Sequence, residues 1–352
     1  MPKKIPVAIL GATGLVGQRL IQMLSDHPWF EIAALGASER SVGKKYRDAA
    51  QWHLTTEIPD AIRECVLKPS DPGSIDAPIV FSALPSSVAG ATEEAFARAG
   101  AIVMSNASAH RMDVDVPLII PEVNPDHLDL IPVQRARRNW RGAILCKANC
   151  STIHLVLALK PLADAFGIKR LIVTTMQAIS GAGAHGVSAL EILDNVIPYI
   201  GGEEQKTETE PLKILGRLSD GAIVPAQFKI SSHCNRVATQ DGHLETVSVE
   251  LEKKASLAEV RNALENFCGE PQRLRLPTAP AHPIVLRAEA DRPQPRLDRD
   301  AEHGMATVIG RLRECNVFDY RFTLLGHNTI RGAAGGNILS AELLVAKNIF
   351  RN

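Results

Sequence analysis

Aromatic side chains are scarce, at 4% of 352 residues. Few rings are available to stack on bases, which argues against a single-strand nucleic-acid surface. Neither sign of charge is in excess, with 39 Lys+Arg against 39 Asp+Glu. The basic surplus that gathers phosphate is missing, so neither nucleic acid nor a membrane surface is expected as a partner. No apolar run approaches the ~20 residues needed to span a bilayer. Two lysines precede an apolar run at the start and imitate a secretory signal, but a glycine pattern follows and Gln18 and Arg19 interrupt it. Cys65, Cys146, Cys150, Cys234, Cys268 and Cys315 form no C-x-x-C pair. Neither a zinc site nor a disulfide framework is expected, and the reading is a reduced, cytoplasmic protein with a free thiol and no metal.

What is present is ordinary globular composition, 45% hydrophobic and 22% charged. The length exceeds one hydrophobic core and implies two domains. The first half alternates strands at 6–10, 31–35, 78–82 and 101–104 with helices at 16–24 and 92–99, the pattern of a parallel sheet covered on both faces. In the second half a helix at 151–166, kinked near Pro161, stops at Gly167. Strands follow at 171–177, 246–251 and 317–325. Segment 187–200 reads as mostly helix, with Leu190, Leu193 and Ile197 on one face. Segment 291–300, rich in proline and charge, reads as a surface loop. Arg135, Arg137, Arg138 and Arg141 read as a solvated face. An apolar helix closes the chain at 335–350.

Gly11-Ala-Thr-Gly14-Leu-Val-Gly17 follows the first strand and opens the first helix. Small residues permit a tight turn, and the helix start offers unpaired N–H groups to a pyrophosphate. The fold class is therefore α/β: an N-terminal Rossmann-like dinucleotide-binding domain over 1–149, completed by a C-terminal helix at 331–352, plus an α+β catalytic domain with a mixed sheet over 150–330. After the second strand, Ser38, Arg40 and Ser41 supply hydroxyls and a guanidinium suited to a 2′-phosphate, hence NADP. Glu39 beside them could instead face a ribose, as in NAD sites. The cofactor set is Gly11, Thr13, Gly14, Leu15, Val16, Gly17, Ser38, Arg40, Ser41 and Ser82.

Cys150, in Lys147-Ala-Asn-Cys-Ser-Thr-Ile153, sits at a helix start. There the dipole and free N–H groups should lower its pKa and hold an oxyanion. His243, after Gly242 and before a strand, is the candidate proton carrier, and Arg236 could clamp a carboxylate. His154 competes as base, although the turn direction should carry it away from the thiol.

Together these residues resemble the aspartate-β-semialdehyde dehydrogenases, specifically their archaeal and fungal-like branch. The resemblance spans nearly the whole chain. It runs through GATGLVG at 11–17, SNASAHRM at 105–112, VPLIIPEVN at 116–124, ANCST at 148–152 and TTMQAISGAG at 174–183. It continues with DNVIPYIGGEE at 194–204, HCNRV at 233–237, DGH at 241–243, DRPQPRLDRD at 291–300 and RGAAGG at 331–336. The resemblance implies Cys150 as nucleophile, His243 as acid/base, Gln177 positioning the acyl group and Arg236 binding the substrate α-carboxylate. It implies Glu204, with Glu203 beside it, for the substrate amine, Lys206 and Arg111 for phosphate, and Gly335 and Gly336 near the nicotinamide. The chain departs from the family in having Ala238 where a proline follows the HCNRV motif.

The implied reaction is NADPH-dependent reductive dephosphorylation of L-aspartyl-4-phosphate to L-aspartate 4-semialdehyde through a Cys150 thioester. It belongs to lysine, threonine and methionine biosynthesis. Backbone N–H groups, with Asn149, would hold the oxyanion. The resemblance also implies a homodimer or homotetramer, with 150–330 as its catalytic and dimerisation domain. Malonyl-CoA reductase and N-acetylglutamyl-phosphate reductase share the chemistry, and a non-catalytic NADP-binding regulator is the reading from another class.

Overall fold

A computed structural model describes residues 3–351. The chain begins with β1 (Ile5–Leu10), α1 (Leu15–Leu24), β2 (Phe30–Ala37), β3 (Lys68–Pro69), β4 (Ile79–Ser82), α2 (Ser86–Ala99) and β5 (Ile102–Ser105). It continues through β6 (Leu118–Ile119), α3 (Leu130–Arg138) and β7 (Ala143–Lys147). These seven strands form one sheet in the order β3-β2-β1-β4-β5-β7-β6, and every pairing is parallel. The strands β4, β5 and β7 are buried throughout, which is why they read as continuous apolar runs rather than alternating ones.

The long helix α4 (Cys150–Phe166) leads into the second half, with β8 (Ile168–Gln177), α5 (Glu203–Ile214), a small hairpin of β9 (Arg217–Ser219) and β10 (Ala222–Val224), and β11 (Lys229–Arg236). Then come β12 (His243–Leu251), α6 (Leu257–Glu265), β13 (Ile284–Leu286), β14 (Thr307–Glu314), β15 (Tyr320–Gly326) and α7 (Gly335–Ala346). The second sheet runs β11-β8-β12-β15-β14-β13. It is mixed, with β11–β8 and β13–β14 parallel and the three central pairings antiparallel.

Helix α4 is apolar almost all round because it serves both halves. Ile153, Val156 and Leu157 pack into the first sheet's core, while Leu155, Ala158, Leu159 and Leu162 pack against the second sheet. Gly167 ends it at φ +71°, a conformation that favours glycine. Helix α7 returns to the first sheet, where Ile338, Leu339, Leu343 and Leu344 join the cluster around Val7, Ile9 and Phe81.

Three expectations need correction. Segment 187–200 is not mostly helix: only Ala189–Ile192 is helical, with Leu190 97% and Leu193 65% exposed. Pro198 disfavours the helical conformation at Ile197, and the Ile197 backbone instead exchanges hydrogen bonds with Arg236 at the edge of β11. Segment 291–300 is more than a surface loop. Pro295–Asp298 forms a helical turn, and buried Asp298 accepts from Arg287, Arg292 and the Gln294 amide. In the arginine cluster, Arg138 is not simply solvated: it pairs with Asp115 at 2.6 Å and Asp113 at 2.8 Å, stacked over Trp140.

Candidate active site

The β1–α1 turn is packed too tightly for side chains. Gly11 stands at φ +71°, and a Cβ there would meet the Ala83 carbonyl at 2.6 Å; a Cβ on Gly17 would meet the Gly11 oxygen at 2.3 Å. Gly14 occupies the N-cap of α1 with no side-chain cap, and the first turn holds no acidic residue. The amides of Leu15, Val16 and Gly17 thus start an uncapped helix, the arrangement that suits an anionic pyrophosphate. Thr13 accepts the Gln18 side-chain amide through its carbonyl at 2.9 Å. Ser38, Arg40 and Ser41 lie in the turn after β2, with Ser38 and Arg40 exposed and the Ser41 amide donating to the Ser38 carbonyl at 2.8 Å. Ser82 ends β4 and is fully buried.

A cavity of about 420 Å³ joins this turn to the second half: Val16 of α1 lines it together with Cys150, Gln177, Glu203, Lys206, Arg236 and Arg111. A second cavity of about 500 Å³ is lined by Leu15 and Arg19 of α1 with His53, Asp241 and Arg299, and by no cysteine.

Cys150 is the first residue of α4. Its sulfur lies 3.2 Å from His243 Nε2, and His243 Nδ1 accepts the Ala178 N–H at 3.1 Å. A backbone amide can only donate. Nδ1 is therefore unprotonated, and Nε2 carries the hydrogen that faces the sulfur. Burial, then Arg236, pushes His243 down to about 3, so the ring is neutral at physiological pH. His154 is turned away into the interior, where Nδ1 meets Thr307 Oγ1 at 2.8 Å.

The thiol pKa runs opposite to expectation. Burial, reinforced by Glu203, pushes Cys150 up to about 11, against the pull of Lys147, Arg111 and Arg236. The helix-start amides are also not free. Asn149 Oδ1 accepts from Ser151 N at 2.9 Å and Thr152 N at 3.3 Å, while its Nδ2 donates to Glu203 Oε2 at 2.7 Å. Asn149 is a helix cap, with its side chain committed.

Glu203, not Glu204, reaches the cavity. Glu203 accepts from Asn149, from Gln177 Nε2 at 3.4 Å and from Lys206 Nζ at 2.7 Å. Burial would raise its pKa, but Lys206, Asn149 and Gln177 outweigh it, so the carboxyl titrates lower than usual. Glu204 instead accepts the Cys234 backbone N–H at 3.1 Å. Arg236 Nη1 donates to the Ala178 carbonyl at 2.7 Å. Arg111 pairs with buried Glu210 at 2.8 Å and donates to the Asn106 carbonyl, and its Nε has no partner among the described residues.

Gly335 and Gly336 do not reach the cavity either. They open α7 and are buried, Gly335 against Met305 and Met23, Gly336 against Ile153 and Lys147. A π-helical turn at Ile330–Ala334 precedes them, and Gly332 and Ala333 from that turn line the cavity instead. Sequence reasoning also passed over Lys147, Glu210, Asn106 and Asn328. Lys147 and Asn106 carried a signal, the first lying three residues before the nucleophile and the second inside the SNASAHRM motif at 105–112.

A thiol paired with a neutral imidazole, opening onto an uncapped glycine turn of a parallel sheet, defines a nucleotide-linked oxidoreductase that works through a cysteine. Residues 6–131 match the family described as semialdehyde dehydrogenase, NAD binding domain, and residues 159–331 the semialdehyde dehydrogenase dimerisation domain. Aspartate-semialdehyde dehydrogenase of Methanothermobacter thermautotrophicus is 53% identical over 97% of this chain and 99% of its own. Among solved structures, that of the Candida albicans aspartate semialdehyde dehydrogenase with NADP superposes with a TM-score of 0.90 at 43% identity, covering 99% of this chain and 100% of that one. The Vibrio cholerae aspartate semialdehyde dehydrogenase II complexed with ASA gives 0.76 at 27% identity, covering 97% and 98%. The chain belongs to the aspartate-semialdehyde dehydrogenase family. Among the described residues no helix is long and apolar enough to cross a membrane.

Proposed function

We propose that the protein reduces L-aspartyl-4-phosphate to L-aspartate 4-semialdehyde with release of phosphate, using NADPH. The observation that carries this reading is the Cys150–His243 contact at 3.2 Å in a cavity that also holds both a carboxylate and several cations. NADPH, when bound, supplies the hydride. The uncapped start of α1 fits its pyrophosphate, and Ser38, Arg40 and Ser41 fit a 2′-phosphate.

The Cys150 thiolate attacks the acyl carbonyl, and the thioester forms as phosphate leaves. Lys206 and Arg111, both lining the cavity, are the cations for the departing anion. Arg236 takes the α-carboxylate and Glu203 the ammonium, while Gln177, tied to Glu203, orients the acyl group. The ring of His243 acts as a donor at Nε2. It holds the oxygen of the tetrahedral species and then the sulfur as the aldehyde departs. Because the species collapses to a thiolate, no proton need leave the ring.

A malonyl thioester has no ammonium to meet Glu203, which favours the aspartyl substrate. The second half is read as forming a homodimer. The cysteine chemistry and the absence of any C-x-x-C pair fit a reducing, cytoplasmic setting. The test is oxidation of L-aspartate semialdehyde with phosphate, run separately with NADP⁺ and NAD⁺. Turnover should require phosphate and favour NADP⁺; a requirement for coenzyme A in place of phosphate would overturn the substrate.

A further inference from the structure

Four charged residues share one face of α5. Glu203, Lys206, Glu210 and Lys213 follow one another at steps of three, four and three residues, the spacing that stacks side chains along a helix. Glu203 and Lys206 line the cavity. Glu210 and Lys213 lie further along the helix, buried at 2% and 6% exposure. Their partners are all in the first half or at the start of α4.

Glu210 uses both of its oxygens. Oε1 accepts from Arg111 Nη1 at 2.8 Å, and Oε2 accepts from the Asn149 backbone N–H at 2.6 Å. Arg111 lines the cavity, and Asn149 is the N-cap residue directly before the nucleophile. One carboxylate thus ties a cation of the cavity to the backbone that carries Cys150. Lys213 secures the same loop from the other side. Its Nζ donates to the carbonyls of Arg111, Asp113 and Val116 at 2.7, 2.7 and 2.8 Å. Among the described residues Glu210 is the one acidic partner of Arg111. A buried ion pair spends most of its attraction on its own desolvation and contributes little net stability. What this pair supplies is placement.

We propose that Glu210 is a positioning residue for the phosphate step: it fixes the Arg111 guanidinium relative to the start of α4, so that phosphate held by Arg111 meets the acyl group on Cys150. In the direction of aldehyde oxidation a phosphate oxygen attacks the thioester carbonyl. A C–O bond forms, the C–S bond breaks, and Cys150 leaves as the thiolate. Glu210 exchanges no proton and touches no reacting atom; it acts through Arg111. The inference rests on the reaction proposed above, with Arg111 as a cation for phosphate.

The experiment is steady-state oxidation of L-aspartate semialdehyde by NADP⁺ over a range of inorganic phosphate. It compares the wild-type chain with Glu210→Gln, Glu210→Asp, Arg111→Gln and the double variant Arg111→Gln/Glu210→Gln. Glutamine keeps the length but turns an N–H toward one of the two donors. Aspartate keeps the charge but is one methylene too short to span both. Each Glu210 variant should raise the KM for phosphate by about tenfold or more, with the KM for semialdehyde within about threefold of wild type. The double variant should be no worse than Arg111→Gln alone, because Glu210 acts through Arg111; a merely structural role would add its own loss. NADPH titration identifies folded variants. A Glu210→Gln phosphate KM at or below wild type, or an additive double variant, overturns the proposal. A lowered value would mean that the carboxylate only repels phosphate by its charge. If Glu210→Gln fails to bind NADPH, Glu210→Asp decides, and a phosphate KM at or below wild type overturns the proposal in the same way. Wild-type turnover without phosphate would instead overturn the reaction itself, so the two failures are told apart.

Discussion

Adjacent positions on an α-helix point about 100° apart, since a turn takes 3.6 residues, and in α5 that angle decides which glutamate serves the cavity. Glu203 faces Asn149, Gln177 and Lys206, while Glu204 faces β11. The motif names both and carries no phase, because α5 starts at Glu203 itself, after Gly202 at φ +71°. The same reasoning explains the two glycines of α7: a π turn shifts the phase, and Gly332 rather than Gly335 or Gly336 faces the nucleophile. Residue chemistry was legible at Cys150, His243 and Arg236, and Gln177 was named only through the family resemblance; the fold brings all four to one place. The thiol's pKa was not legible, because it depends on burial that no local pattern reports. At this scale, Glu203→Gln should lower kcat/KM by about 10–100-fold, the loss of one charged hydrogen bond, and Glu204→Gln by much less. Steady-state kinetics on both variants checks this, and the reverse ranking would return the role to Glu204.

At the scale of elements, β1, β2, β4, β5 and α1 of the first half were read within two residues, because apolar runs between glycine turns leave little choice, whereas α2 starts at Ser86 rather than 92, and β3, β6, β7 and α3 were not read as elements. The failure at 187–200 has the opposite cause. Its apolar residues show helical spacing, yet Leu190, Leu193, Val196 and Tyr199 are all more than half exposed, and the backbone is spent on β11. A second exposed apolar surface lies on the sheet itself. Along β8, Ile172 is 44% exposed and shares a face with half-buried Thr174 and Met176, next to Leu244, Thr246 and Ser248 of β12. The other face packs on α4. A sheet with one polar-to-apolar face left open fits a second copy of this chain, which is how we read the dimerisation half. The wild-type chain should sediment as a dimer at micromolar concentration, and Ile172→Asp should shift it toward monomer. A wild-type monomer under those conditions contradicts the reading.

The whole molecule is what makes the site. The glycine turn comes from the first sheet, the thiol from the helix between the sheets, the imidazole and guanidinium from the second sheet, and Gly332 from the returning C-terminal segment. These four parts lie far apart in sequence, so the order of motifs could announce the site but not its geometry. The neutral imidazole and the capped helix start appear only when all four parts close on one cavity. The account stands on Cys150 becoming acylated there. L-Aspartate semialdehyde and NADP⁺ supplied without phosphate should leave the aspartyl group on the enzyme, and peptide mass spectrometry should find it on Cys150. An unmodified Cys150, or the adduct on another cysteine, would contradict the account.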